Sequence, residues 1–350
     1  MNTLQRKLYY GVRMGLIIAC ALLALPEARG AKFVRVLLLA GQSNIGGTGN
    51  AADLPPEMTN QTNVWFDNAT PTGSGTTNWT VLGSSGGFGP EVGCGYIVAR
   101  ALPHEQIAVV KDSAAATGID YWRLAGQAGF VSLTDRIALV RQRLEAQQLA
   151  GEISGFRYAG FFWMQGEAEA NAGISGPGLD YFNRITDLVQ KVRLATGVSN
   201  LPVVVGRTHG GITINNQRDL INVRSNQVAF AEADPYATWV DTDDFGLQDG
   251  LHLNSPGSLW LGTRMGTAHL WLTEPNPCVQ IVRAPGQQTF TADHVVRFSA
   301  VFSQPIAAFN SACVALGGTA GAATVSVWRT QAFNGTSEVY AIAAGGMTNA

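Results

Sequence analysis

Val34-Arg35-Val36-Leu37-Leu38-Leu39-Ala40-Gly41-Gln42-Ser43-Asn44-Ile45-Gly46-Gly47 passes from a continuous apolar run into a turn of small and polar residues. A half-exposed strand alternates apolar and polar side chains. A Val- and Leu-rich run without that alternation suits a strand buried on both faces of a parallel sheet. The strand is predicted over residues 34–40, and four more runs of this kind occur at 107–111, 158–164, 202–206 and 237–241. Between them lie helical segments at 132–149, 178–196 and 217–233. In the first, Leu133, Ile137, Val140 and Leu144 recur at helical spacing, while Arg136, Arg141, Arg143 and Glu145 point elsewhere. Ser255 as N-cap and Pro256 at the first helical position predict a last helix reaching about Leu272. Strand alternating with helix predicts an α/β domain over 31–275, with five parallel strands and helices on both faces.

The segment before this domain has another character. Lys7 and Arg13 precede an apolar run over 14–25, and Ala28 and Gly30 fit the small residues before a cleavage site. Residues 1–30 therefore read as a signal peptide, too short in its apolar part for a membrane span. The protein is expected to be secreted or periplasmic, and a lipid anchor on Cys20 is the weaker reading. No other apolar stretch could span a bilayer. Charged residues make up 14% of the chain and the formal net charge is −2, which offers no electrostatic surface for nucleic acid. Beyond the leader, Cys94, Cys278 and Cys313 remain. Cys278 with Cys313 is the expected pair and Cys94 is expected to be buried. No Cys/His spacing suggests a zinc site and no cofactor is implied.

After Pro277 the texture changes. Residues 295–301 and 324–328 alternate apolar and polar side chains with Gly and Asn turns between, which predicts a small antiparallel β domain over 279–350. Its texture is similar to immunoglobulin-like modules of secreted and cell-surface proteins. It is expected to lack a closing strand, and carbohydrate or a cell surface is its expected contact.

Functional groups of an open α/β sheet gather beyond the carboxyl ends of its strands. Gly41-Gln42-Ser43-Asn44 follows the first predicted strand, Gln165-Gly166-Glu167 the third, and Asp249-Gly250-Leu251-His252 the fifth. Topology should bring all three to one edge. A serine nucleophile needs a base, and His252 has Asp249 three residues before it to fix its tautomer. His209, after the fourth strand, is the competing base but lacks a nearby acid. Asp243 and Asp244 are fallback acids. His269 reads as core, while His104 and His294 lie away from the edge. Asp241-Thr242-Asp243 resembles the start of a calcium loop, but Phe245 occupies a position that needs an oxygen ligand. Trp65, Trp79 and Trp122 are predicted in loops near this edge, as sugar platforms or as loop anchors.

These blocks resemble, in order, those of the SGNH-hydrolase superfamily, whose fold is flavodoxin-like with three layers. The likeness is strongest to its carbohydrate-esterase branch, the sialate O-acetylesterase and acetylxylan esterase relatives, in which the first block reads GQSN rather than GDSL. Phe88-Gly89-Pro90-Glu91 is similar to the second block; Lys111, Thr117-Gly118, Trp122, Arg224, Gln227, Leu261-Gly262 and Arg264 also fit. Met164 stands where relatives often carry His, and Ala114-Ala115-Ala116 where they often have a Gly-Gly pair. The resemblance implies Ser43 as nucleophile, His252 as base and Asp249 as its partner. It implies an oxyanion hole from the Ser43 N–H, a backbone N–H near Gly89 (Gly86 and Gly87 being alternatives) and the Gln165 amide. Gln42, Glu167 and Trp122 are expected at the substrate, with Glu167 alternatively holding the Gln165 loop. The implied substrate is an acetylated carbohydrate, xylan slightly ahead of sialate. A lipid or thioester esterase, and an inactive carbohydrate-binding protein, are the rival readings.

Overall fold

A computed structural model describes residues 31–69, 79–83, 86–171, 180–274, 279–284, 286–287, 293–302, 304–306, 308–316, 322–332 and 338–347. Its strands are β1 (Phe33–Gly41), β2 (Gly49–Asn50), β3 (Asn60–Ala69), β4 (Thr80–Gly83), β5 (Gly87–Phe88), β6 (Gln106–Ser113), β7 (Gly155–Met164), β8 (Val203–Gly206) and β9 (Ala237–Val240). Four more follow: β10 (Val279–Arg283), β11 (Val295–Phe302), β12 (Thr324–Gln331) and β13 (Glu338–Gly345). The helices are α1 (Ser43–Gly46), α2 (Pro90–Ala101), α3 (Ile119–Arg123), α4 (Ala128–Leu149), α5 (Glu167–Asn171), α6 (Tyr181–Thr196), α7 (Gln217–Ala233) and α8 (Ser255–Thr273).

The main sheet has the order β4-β3-β6-β1-β7-β8-β9. All five predicted strands lie in it, parallel to one another. The expected count of five is too low, because β3 adds a sixth parallel strand beside β6 and β4 closes that edge antiparallel. The β3 sequence hid this with polar residues whose partners are distant. Gln61 donates to the Val92 carbonyl at 2.9 Å, and Asp67 takes Arg136 at 2.7 Å and Arg143 at 3.0 Å.

Both faces of β1 are covered, which is why its sequence does not alternate. Val34, Val36, Leu38 and Ala40 pack with Leu133, Ile137 and Val140 of α4 and Ile185 and Leu188 of α6. Leu37 and Leu39 pack on the other face with Ile97 of α2 and Leu261 and Met265 of α8. Arg35 is the exception in this buried strand, and it pairs with Glu105 and, at 2.6 Å, with Glu274. Cys94 lies in this second core, where burial pushes its thiol up. Asn254 rather than Ser255 caps α8, its side chain accepting from the Gly257 N–H at 2.9 Å.

Beyond residue 274 a second sheet has the order β10-β11-β13-β12, antiparallel throughout, with Ala300, Phe302, Tyr340 and Ile342 in its small core. An immunoglobulin-like domain needs two packed sheets. Among the described residues this segment forms one, with the 3₁₀ turn Ser311–Cys313 between β11 and β12. The leader 1–30, with Cys20, and Cys278 lie outside the described residues, so the expected pairing of Cys278 with Cys313 does too. No helix among the described residues is long and apolar enough to cross a membrane.

Two glycines set the closest approaches. A Cβ at Gly41 (φ +144) would sit 2.0 Å from the Met164 carbonyl oxygen, and one at Gly262 would sit 1.9 Å from that of Pro90. The second contact seats α8 against α2. Gly262→Ala should force these helices apart at a cost of about 1–3 kcal/mol, lowering Tm by roughly 2–8 °C in a thermal melt. An unchanged Tm would show that the helices can separate freely.

Candidate active site

The carboxyl end of β1 lies between those of β6 and β7, where the winding of the chain reverses from one side of the sheet to the other. Such switch points leave a crevice between diverging loops. Ser43 is the first residue of α1, reached through a turn fixed by the Gln42 N–H donating to the Met164 carbonyl at 3.0 Å. Its hydroxyl oxygen lies 3.0 Å from His252 Nε2, and His252 Nδ1 lies 2.7 Å from Asp249 Oδ2. Topology thus joins residues 209 positions apart. The Asp249 carboxylate also accepts from the backbone N–H of His252 at 2.7 Å and of Leu251 at 2.9 Å. The His252 N–H, then its ring, hold that carboxyl down to about 2, so it stays ionised. The arrangement can withdraw a proton from Ser43 and hold the resulting imidazolium.

His209 and the fallback acids are otherwise engaged, and His269 lies in the core. His209 Nε2 lies 3.1 Å from the Phe245 carbonyl, and its Nδ1 accepts from the Gly211 N–H at 2.9 Å. His269 is fully buried against Phe162, and burial holds it down to about 3. Asp243 is paired with Arg224 and Arg207, and Asp244 with Arg264.

Several expected site residues lie beneath the crevice rather than in it. Gln42 is 3% exposed, and its Oε1 accepts from Gln165 Nε2 at 3.1 Å and from the Ala168 N–H at 3.2 Å. Gln165 is wholly buried; its amide nitrogen also donates to the Thr117 carbonyl at 3.0 Å and to Glu169, while Tyr181 donates to its Oε1 at 2.8 Å. Trp122 has no exposed surface, stands edge-on to Trp163 and donates to Thr117 Oγ1 at 2.9 Å, so it offers no face to a sugar. Trp65 stacks on Trp79 but pairs with Ala108, roughly 16 Å along the strands from the crevice. The Gly89 N–H, expected to face an oxyanion, donates to Glu91 Oε1 at 2.9 Å. Glu91 in turn holds Lys111 at 2.9 Å, and Lys111 donates to the Gly46 carbonyl at 2.8 Å.

Sequence reasoning placed Asn44 in the first block without a role, and named Ala114-Ala115-Ala116 only as a departure from relatives. Asn44 is buried, donates to Glu167 Oε1 at 2.6 Å and accepts from the Leu253 N–H at 3.0 Å, so it ties the nucleophile turn to the histidine loop. Its place directly after Ser43 was the available signal. Burial raises the Glu167 carboxyl above its ordinary range. The Ala114 N–H donates to the Gly41 carbonyl at 3.1 Å, and Ala116 is left-handed at φ 55. That conformation favours glycine, so alanine here masked the turn. Among the described residues, no group of His, Cys, Asp and Glu is arranged to hold a metal.

The parallel sheet with this serine–histidine–aspartate arrangement at its switch point is that of an SGNH hydrolase of the carbohydrate-esterase branch. The chain belongs to the carbohydrate esterase, sialic acid-specific acetylesterase family, whose profile matches residues 34–271. No curated protein matches it by sequence. Among solved structures, a protein from Arabidopsis thaliana is 21% identical with a TM-score of 0.53, covering 67% of this chain and 97% of its own, and it shares the fold. A carbohydrate acetylesterase from Xanthomonas citri is 15% identical (TM-score 0.48), covering 87% of this chain and 72% of its own. NanS is 12% identical (TM-score 0.47), covering 69% of this chain and 98% of its own.

Asn44→Ala removes the side-chain donor of the buried Glu167 carboxylate and the acceptor of the Leu253 N–H. It should cost about 1–3 kcal/mol in urea unfolding and lower kcat by loosening the histidine loop. Stability and kcat both at the wild-type level would deny Asn44 this tie.

Proposed function

We propose that this chain is an exported serine esterase that removes O-acetyl groups from carbohydrate. The observation that carries the reading is the relay from Ser43 through His252 to Asp249, with contacts of 3.0 and 2.7 Å, in a chain of this family. Export rests on the leader at 1–30.

Ser43 Oγ attacks the acetyl carbonyl as His252 Nε2 takes its proton, and Asp249 stabilises the imidazolium. The tetrahedral oxyanion accepts from the Ser43 N–H, which makes no hydrogen bond to the described residues, and from the Ala115–Ala116 turn beside it. Gln165, its amide committed, acts in this reading by holding the loops and not as a donor to the oxyanion. Collapse of the intermediate expels the sugar alkoxide, protonated by His252, and leaves acetyl-Ser43. Water, deprotonated by His252, attacks that ester; acetate leaves and Ser43 recovers its proton.

A neutral glycan suits the edge better than a sialic acid. Arg207, directly after β8, and Arg224, within α7, are paired with Asp241 and Asp243, so neither of these two is offered to a sugar carboxylate.

Ser43→Ala and His252→Ala should each abolish nearly all acetate release while circular dichroism stays native, since the relay acts as a unit. Loss of activity in His209→Ala with retention in His252→Ala would reassign the base. Across 4-nitrophenyl esters, kcat/KM should fall steeply from acetyl to butyryl. An acyl tunnel would instead gain about 0.8 kcal/mol per methylene, roughly fourfold per carbon, so efficiency rising to octanoyl would favour the lipid esterase.

A further inference from the structure

A cavity of about 530 Å³ lies between the α2/α8 face of the main sheet and the C-terminal sheet. That volume falls within the range of small-molecule sites. Tyr96, Trp260 and Phe298 line it, with Glu57, Arg283 and Gln287 among its polar groups. We infer that this cavity is an accessory subsite for a neutral oligosaccharide segment of the substrate; the inference rests on the carbohydrate reading above.

The lining favours that class of ligand. A sugar ring has an apolar C–H face that packs on aromatic rings and a rim of hydroxyls that both donate and accept. Trp260 is half-buried, and its indole N–H makes no hydrogen bond to the described residues. Gln287 Oε1 accepts from the Arg297 N–H at 3.0 Å, which leaves its amide nitrogen to donate. Asp53 joins Glu57 in the lining, and Arg283 lies 3.5 Å from Glu57, so the acids outnumber the cation and an anionic ligand is disfavoured. A purely lipid ligand would leave these polar groups unsatisfied.

Hydrogen bonds also tie the cavity's lining to the segments that follow Ser43 and His252. Ser255, in its lining, accepts from the Asn50 N–H at 2.9 Å, and Thr48 Oγ1 donates to the Leu253 carbonyl at 2.5 Å. Its walls therefore begin in the segments that leave Ser43 and His252. A glycan acetylated at the crevice can extend along the first turns of α8, with the C-terminal sheet as the far wall.

The test compares acetylated xylo-oligosaccharides from disaccharide to hexasaccharide with 4-nitrophenyl acetate, using the full chain, Trp260→Ala and Gln287→Ala. KM should fall with chain length in the wild type, and each variant should raise it about tenfold on the hexasaccharide with kcat/KM on 4-nitrophenyl acetate unchanged. A KM independent of length, or unmoved in both variants, overturns the subsite while leaving the esterase reading intact. Hydrolysis of 4-nitrophenyl acetate without release from any acetylated saccharide overturns the carbohydrate reading. Calorimetry of unacetylated xylohexaose with Ser43→Ala separates the two: binding weakened by adding Trp260→Ala upholds the subsite, and no binding overturns it.

Discussion

Gln165 sits at the carboxyl end of the central sheet where no water reaches it, and the loops around the site bend to supply its partners. Its amide nitrogen is shared among Gln42, Thr117 and Glu169, the Tyr181 hydroxyl lies within reach of both its side-chain and its backbone oxygen, and that backbone carbonyl accepts from Gln227 at 2.8 Å. Segments following β1, β6 and β7, together with α6 and α7, converge on one residue. An unsatisfied buried amide would cost several times the net worth of one hydrogen bond, so the set is cooperative: losing one partner strands the others. The crevice is the upper surface of this network.

A second buried pair supports the turn from the opposite face of the sheet. Lys111 and Glu91 neutralise each other in the core while their remaining polar atoms grip the Gly46 carbonyl and the Gly89 N–H. Pairing alone seldom compensates two charges for their lost hydration. Here the added backbone bonds do the holding. They fix where α1 ends, three residues beyond Ser43 at Gly46.

The five buried strands, the principal helices and the convergence of Ser43, Asp249 and His252 were legible because each rests on periodicity or on strand order. β3 was not, since its polar residues are satisfied by Val92, Arg136 and Arg143, far away in sequence. Gln42, Gln165 and Trp122 were expected at the substrate or the oxyanion, and the fold buries all three and engages their polar atoms. A motif fixes a residue's place along the chain; which way its side chain turns depends on neighbours brought in by the fold. Trp65 failed differently. Its run was read as a loop, so its level along the sheet could not be reckoned.

Ala116 holds a left-handed conformation that disfavours an L-residue by about 1–2 kcal/mol. A glycine would relieve the strain but would also open mirror-image conformations to the turn. Alanine narrows that choice. The penalty is met once, when the protein folds, and not again at each catalytic cycle. The turn after β6, tied by the Ala114 N–H to the Gly41 carbonyl, therefore keeps one shape in the folded chain.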